Sequence, residues 1–118
     1  MAGGRVLLER DGATATVTLS SPGRLNALDK NMWSQLGAAM KALDADDAVR
    51  CIVVRGEGEK AFAAGADISE FHNERATSKQ AKAYASGGIG WLHAVAECRH
   101  PTVALIQGAC VGGGLLIA

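Results

Sequence analysis

The chain has few of the residues on which cross-linked or aromatic-rich folds depend. Phe, Trp and Tyr together make up 4% of its 118 residues, so a folded core must be aliphatic and rich in alanine. There are 2 prolines and 3 cysteines. Because the cysteine count is odd and no C-x-x-C pair occurs, the sequence favours neither a disulfide framework nor a zinc site.

The chain also lacks an excess of either charge and any long apolar run. Twelve basic residues balance 12 acidic ones, which argues against non-specific nucleic-acid binding because that needs a strongly basic face. No segment approaches the roughly 20 apolar residues of a membrane span, so no membrane partner is expected. The N-terminus shows no signal or transit pattern, and a cytoplasmic protein is expected, although a mature form that has lost a presequence would look the same.

What the sequence does contain is an alternation of strand and helix signals over one predicted domain, residues 1–118. Strands are predicted at residues 6–9 and 13–20, with Asp11-Gly12 as the hairpin turn between them. Asp29 is expected to cap a helix that ends near Asp44, and CIVVR at residues 51–55 to form a short buried strand. A helix over about 78–98 and a buried strand at 102–107 follow. Strands separated by helices predict an α/β fold with at least partly parallel pairing.

Two loops of small residues are the most informative feature, AFAAGADIS at 61–69 and IQGACVGGGLLIA at 106–118. Each follows a strand-like run and leads toward a helix-like one, and small side chains let a ligand approach the backbone. Two such loops facing each other would place free N–H groups around one negatively charged oxygen. A nearby match to the dinucleotide-binding G-x-G-x-x-A pattern at 56–61 carries two glutamates and no following helix, which argues against a nucleotide site.

Three segments, in this order and at matching spacing, resemble the N-terminal half of the crotonase superfamily, the enoyl-CoA hydratase/isomerase family. They are RLNALD at 24–29, KAFAAGADI at 60–68 and PTVALIQGACVGGGL at 101–115. The resemblance implies a crotonase-like α/β fold, a spiral of ββα units. It also implies an enzyme of the hydratase or isomerase type with an acyl-CoA thioester as its partner and coenzyme A as part of the substrate. No other cofactor and no metal is implied. Family members are usually trimers or hexamers.

The same resemblance assigns site residues by position. The backbone N–H groups of Ala66 and Gly113 would form an oxyanion hole around the thioester oxygen. The remaining positions would contact coenzyme A: Arg24 near its phosphates, Leu25 and Ala27 at its entrance, and Ala64, Ala66, Asp67, Ile68 and Gly113 along its path. The spacing of Asp67 and Glu70 also fits a helix cap.

One position departs from the family pattern. Hydratases of this family carry a catalytic glutamate two residues after the GGG run, where this chain has Leu116, and a second glutamate lies beyond Ala118. Hydration needs an acid and a base within hydrogen-bond reach, so the two-glutamate mechanism is not expected of this chain. The chain ends on an apolar run. We therefore expect the whole chain to be the N-terminal part of a longer protein, cut soon after a helix begins.

Two other functions stay open at this stage. Leu116 and the early end of the chain favour a non-catalytic acyl-CoA binding or interaction module. A thioester hydrolase is the other alternative, with Cys110 as nucleophile and His93 or His100 as base, although Cys110 is more simply a small packing residue and His93 a partly buried structural residue.

Overall fold

The chain starts with a β-hairpin. In the computed structural model, which describes residues 3–66 and 90–118, β1 (Arg5–Asp11) pairs antiparallel with β2 (Thr14–Ser20), and Asp11 lies opposite Thr14. The connection is the two-residue loop 12–13. This confirms the hairpin predicted from Asp11-Gly12.

Helix α1 (Lys30–Asp44) follows and supplies much of the core. The Asp29 carboxylate accepts a hydrogen bond from the Met32 backbone N–H at 2.8 Å, so the predicted cap is confirmed. The predicted apolar stripe is buried in full, with at most 3% of any of its side chains exposed: Met32, Leu36, Met40 and Leu43. It packs with the inner residues of β2 and β3 in one hydrophobic cluster.

The main sheet has four strands in the order β1-β2-β3-β5. Strand β3 (Cys51–Gly56) pairs parallel with β2 and with β5 (Thr102–Leu105), and residues 90–96 form helix α2. A second, two-stranded parallel sheet joins β4 (Ala61–Ala63) to β6 (Ala109–Cys110), and α3 (Gly113–Ile117) ends the chain. The predicted α/β class with parallel pairing is confirmed.

Three expectations need correction. The segment predicted as a buried strand at 102–107 ends as a strand at Leu105, and Val103 and Leu105 are 52% and 49% exposed. The physical reason is the face of the sheet on which they lie. Val103 and Leu105 pair with the half-buried Val53 and Arg55, whereas the core covers the face of Ile52 and Val54. Both small-residue loops contain a short strand, because β4 forms the first three residues of one loop and β6 lies within the other. His93 is exposed, not partly buried.

Several predictions fall on residues outside those described: the Asp67–Glu70 cap, and the helix from 78 up to residue 89. Across residues 3–66 and 90–118, no helix has the length and apolar character needed to cross a lipid bilayer.

Candidate active site

The two small-residue loops are brought together by the β4–β6 pair. Ala61 lies opposite Ala109, and the Ala109 backbone N–H donates to the Lys60 carbonyl at 3.1 Å. At the other end of the pair, the Val111 N–H donates to the Ala63 carbonyl at 3.2 Å. The chain segments that follow, 64–66 and 111–114, therefore leave the same edge of this small sheet side by side.

The two loops approach each other at glycine residues, where no side chain separates the backbones. Gly65 has φ 106° and Gly112 has φ 54°, both in the left-handed region that glycine adopts without strain. A Cβ built on Gly65 would lie 3.4 Å from the Gly113 nitrogen, and one built on Gly113 would lie 3.6 Å from the Ala66 nitrogen. Ala66 and Gly113, the two residues predicted to form the oxyanion hole, are therefore neighbours.

The backbone N–H groups of these two residues are available to a ligand within the described part of the chain. Among residues 3–66 and 90–118, neither the Ala66 nor the Gly113 N–H donates to a protein acceptor, whereas the adjacent Gly114 N–H donates to the Val111 carbonyl at 2.9 Å. Two neighbouring amides that converge on one oxygen are the arrangement that stabilises an oxyanion.

The RLNALD segment packs against the first of these loops. The Ala64 N–H donates to the Leu25 carbonyl at 3.0 Å, and the Leu28 N–H donates to the Gly65 carbonyl at 2.7 Å. Leu28 and Ala66 form an isolated parallel bridge. The Ala64 N–H is therefore already hydrogen-bonded within the protein. The Ala64 carbonyl is the backbone group that remains for the predicted contact with coenzyme A.

The turn that carries these contacts is in an unusual conformation. Leu25 and Asn26 have φ 53° and 57°, and they are the non-glycine residues with left-handed backbone in the described segments. Leu25 points outward and is 49% exposed, Ala27 is half-buried, and Arg24 is exposed on the same turn. The structure therefore places Arg24, Leu25 and Ala27 together at the surface beside the loop of Ala64 and Ala66.

Sequence reasoning missed two residues of this region. Asn26 is only 5% exposed, and its side-chain amide donates to the Glu57 and Ala61 carbonyls at 3.1 and 2.9 Å. Lys60 lines, together with Leu25, a cavity of about 420 Å³. A cation directly before AFAAGADI was the available signal for Lys60. No local pattern marks Asn26, because its partners come from a distant part of the chain.

The remaining predicted residues divide into two groups. Asp67 and Ile68 lie outside the described residues. Leu116, at the position of the family glutamate, is 71% exposed. In the described ranges, no group of three His, Cys, Asp or Glu side chains is placed to hold a metal ion.

The proposed Cys/His pair is not assembled among the described residues. The His100 Nε2 lies 3.0 Å from the Asp46 carbonyl oxygen, before the start of β5, whereas Cys110 lies beyond its end. His93 is exposed on α2. Cys110 itself is half-buried against the core, as expected for a small packing residue.

Comparison with known proteins identifies relatives of this chain. The family model for enoyl-CoA hydratase/isomerase matches residues 14–118. The chain is 42% identical to the "Probable enoyl-CoA hydratase" of Rhizobium meliloti, over 96% of this chain and 42% of that protein. It is 40% identical to the mitochondrial 3-hydroxyisobutyryl-CoA hydrolase of Homo sapiens, over 93% of this chain and 29% of that protein.

Solved structures give the same result. An enoyl-CoA hydratase/carnithine racemase from Magnetospirillum magneticum matches with a TM-score of 0.93 and 48% identity, over 96% of this chain and 42% of that one. An enoyl-CoA hydratase/isomerase from Xanthobacter autotrophicus Py2 matches with a TM-score of 0.89 and 30% identity, over 98% and 43% of the two chains. The chain thus spans less than half the length of these relatives. On this evidence, the chain belongs to the enoyl-CoA hydratase/isomerase family, with the crotonase fold predicted from its three sequence motifs.

Proposed function

We propose that the protein binds an acyl-CoA thioester and stabilises negative charge on the thioester oxygen with the backbone N–H groups of Ala66 and Gly113. The observation that carries this proposal is the close approach of the two loops, in which a Cβ on Gly113 would lie 3.6 Å from the Ala66 nitrogen. Membership of the family supports the choice of an acyl-CoA ligand.

The chemistry follows from where charge develops. When a proton leaves the carbon next to a thioester, the electron pair delocalises onto the carbonyl oxygen and an enolate forms. Two fixed N–H donors stabilise that oxygen more than they stabilise the neutral carbonyl. Removal of one such donor typically lowers the rate by about 10²–10³-fold.

The coenzyme A portion would lie along the RLNALD turn. Leu25 and Ala27 would form its entrance, with the Ala64 carbonyl beside them. Arg24, on the exposed face of the turn, would supply positive charge for its phosphates. The cavity beside Leu25 is lined by Glu57 and Glu59 as well as Lys60, so we assign no phosphate to it. By position in the family motif, Asp67 and Ile68 extend this path. Coenzyme A is part of the substrate, and the proposal assigns no role to a metal or to a redox cofactor.

Double-bond isomerisation fits this chain better than hydration, because Leu116 occupies the position of one catalytic glutamate. A second candidate is hydrolysis of a hydroxyacyl-CoA, favoured by the 40% identity to the human 3-hydroxyisobutyryl-CoA hydrolase. In that reaction water adds to the thioester carbonyl, the C–S bond breaks and the coenzyme A thiol leaves. The same two amides would hold the tetrahedral oxyanion.

Acetoacetyl-CoA tests the amide pair without a protein acid or base, because the acidic proton on its C2 is lost to solvent. The enolate that remains absorbs in the near ultraviolet and can be measured directly. We expect the bound ligand to show the enolate band. Gly113→Pro removes the N–H, whereas Gly113→Ala adds a Cβ and keeps the N–H, so the two form a matched pair. We expect the enolate fraction to be at least about tenfold lower in the proline variant than in the alanine variant. An enolate fraction in the proline variant equal to that of the unmodified protein would overturn the proposal.

The reaction is then assigned by product. Release of free thiol from a hydroxyacyl-CoA would favour the hydrolase, whereas migration of the double bond in an enoyl-CoA would favour the isomerase. Arg24→Ala serves as the binding control, because it should weaken affinity for acyl-CoA and leave the enolate fraction of the bound ligand unchanged. Tight binding with no enolate band in the unmodified protein would favour a non-catalytic binding module.

A further inference from the structure

The Gly113 backbone rests against a buried tryptophan. Trp33, on α1, is 4% exposed. A Cβ built on Gly113 would lie 2.9 Å from Trp33 Cζ2 and 3.1 Å from Cη2, which are both on the six-membered ring of the indole. The far edge of this indole therefore backs the residue whose N–H is assigned to the oxyanion hole.

A second tryptophan packs against the first. The rings of Trp33 and Trp91 are stacked, with centroids 6.3 Å apart and planes 11° from parallel. This spacing is within the range of favourable aromatic pairs. Trp91 belongs to α2, and it also approaches α1 closely, because a Cβ on Gly37 would lie 2.8 Å from Trp91 Cδ1.

The pair thus forms a continuous contact from α2 to the Gly113 backbone. Both glycines in contact with it, Gly37 and Gly113, leave no room for a methyl group between the chain and an indole ring. The buried ring of Trp33 has little freedom, because protein interiors are close-packed, and the half-buried Trp91 packs against it.

We propose that Trp33 is a positioning residue that fixes the Gly113 amide, and that Trp91 holds Trp33 in place. This inference rests on the function proposed above. Catalysis by fixed donors depends on their placement, and a displacement of about 1 Å can lower a rate by about 10²-fold. Docking of α2 therefore sets the geometry of the oxyanion hole through Trp91 and Trp33.

The test asks whether a smaller ring at Trp33 makes room for a methyl group added at Gly113. The measured quantity is the enolate fraction of bound acetoacetyl-CoA. Gly113→Ala should lower it, because the added methyl group meets the indole. Trp33→Phe should also lower the enolate fraction, by about tenfold, because the smaller ring no longer supports Gly113. The affinity for the coenzyme A portion should change less than about threefold. In the double variant the smaller ring gives room to the methyl group, so the enolate fraction should exceed that of Gly113→Ala alone.

Gly114→Ala is the control for this rescue. Its Cβ would meet the Ala63 backbone carbonyl rather than Trp33, so Trp33→Phe should not restore it. Trp91→Phe gives an independent readout, because it should reduce the exciton-coupled circular dichroism of the stacked indoles. It should lower the enolate fraction less than Trp33→Phe does.

Two results would overturn the inference: a full enolate fraction in Trp33→Phe, or no gain in the double variant over Gly113→Ala. These outcomes are distinct from failure of the proposed function. That failure appears as an enolate fraction in Gly113→Pro equal to that of the unmodified protein.

Discussion

The side-chain amide of Asn26 donates a hydrogen bond to the backbone carbonyl of Ala61 at 2.9 Å, and so ties the RLNALD turn to the first residue of β4. The same amide nitrogen donates to the Glu57 carbonyl, and the Asn26 Oδ1 accepts from the Ser21 N–H at 3.0 Å. One buried side chain thereby serves both sides of the turn. Because β4 leads directly to Ala66, this connection holds the candidate oxyanion loop at a fixed distance from the coenzyme A entrance.

Asn26→Asp should destabilise the fold by about 2–4 kcal/mol, because a carboxylate cannot donate and leaves the buried Ala61 carbonyl and the partly buried Glu57 carbonyl without this partner. Urea denaturation measures this change. Leu25→Gly is the matched control, since Leu25 is the adjacent residue with the same left-handed backbone and an exposed side chain. The free energy of unfolding of this variant should stay within about 1 kcal/mol of that of the unmodified protein. Similar losses in both variants would mean that backbone conformation matters here and the amide does not.

Asp29→Ala should cost about 1 kcal/mol, because the Met32 N–H loses its cap. The second oxygen of Asp29 accepts from the Gly4 N–H at 3.1 Å, so the variant also frees the start of the chain. Asp29→Asn keeps one acceptor and should recover most of the loss. Thermal denaturation followed by circular dichroism distinguishes the variants, and an alanine variant as stable as the asparagine variant would contradict the capping role.

Asp46 should make stability depend on pH in the acid range. Its pKa is lowered from the ordinary value of 3.8, first by the hydrogen bond from the Ala48 N–H and then by the Arg10 guanidinium at 2.8 Å. The unfolded chain therefore holds this proton more tightly, and the stabilisation is present above pH 3.8 and lost as the pH falls through the lower native value. Asp46→Asn should reduce stability at neutral pH and lose its disadvantage toward pH 2. A difference that persists unchanged in acid would contradict this.

Leu116 should promote self-association. Leu115 and Leu116 are 62% and 71% exposed, and Val111 nearby is 53% exposed. Exposed apolar patches of this kind favour association or aggregation. Leu116→Gln should lower the apparent mass measured by light scattering at high protein concentration. Leu8→Gln, at a separate exposed position on β1, should not, and an equal effect of both would show that general surface hydrophobicity is responsible.

The sequence alone predicts those elements that depend on residues close together along the chain. The Asp29 cap and the four-residue apolar stripe define α1, and the two-residue connection after Asp11 defines the hairpin. Ala66 and Gly113 could be assigned as partners because small residues at two strand ends, together with the family motifs, indicate close backbone approach. The structure brings these two residues together as neighbours.

Other features depended on information that no single segment holds. Val103 and Leu105 have the composition of a buried strand, but they lie on the face of the sheet away from the core, beside Val53 and Arg55. The strands β4 and β6 are too short to be recognised by periodicity and exist because they pair with each other. Asn26 and the two tryptophans were missed because their roles depend on contacts with Ala61, Gly113 and α2, which only the folded chain brings near.

The β4–β6 pair has a kinetic consequence. Ala61 and Ala109 are far apart along the chain, so the pairing that aligns the two loops requires closure of a long segment, and contacts of this kind form slowly. The oxyanion hole would therefore be absent from any intermediate that contains only the hairpin and α1. The Ala109 and Val111 amides, which donate across this pair, would exchange with deuterium whenever the site opens and so report its formation directly.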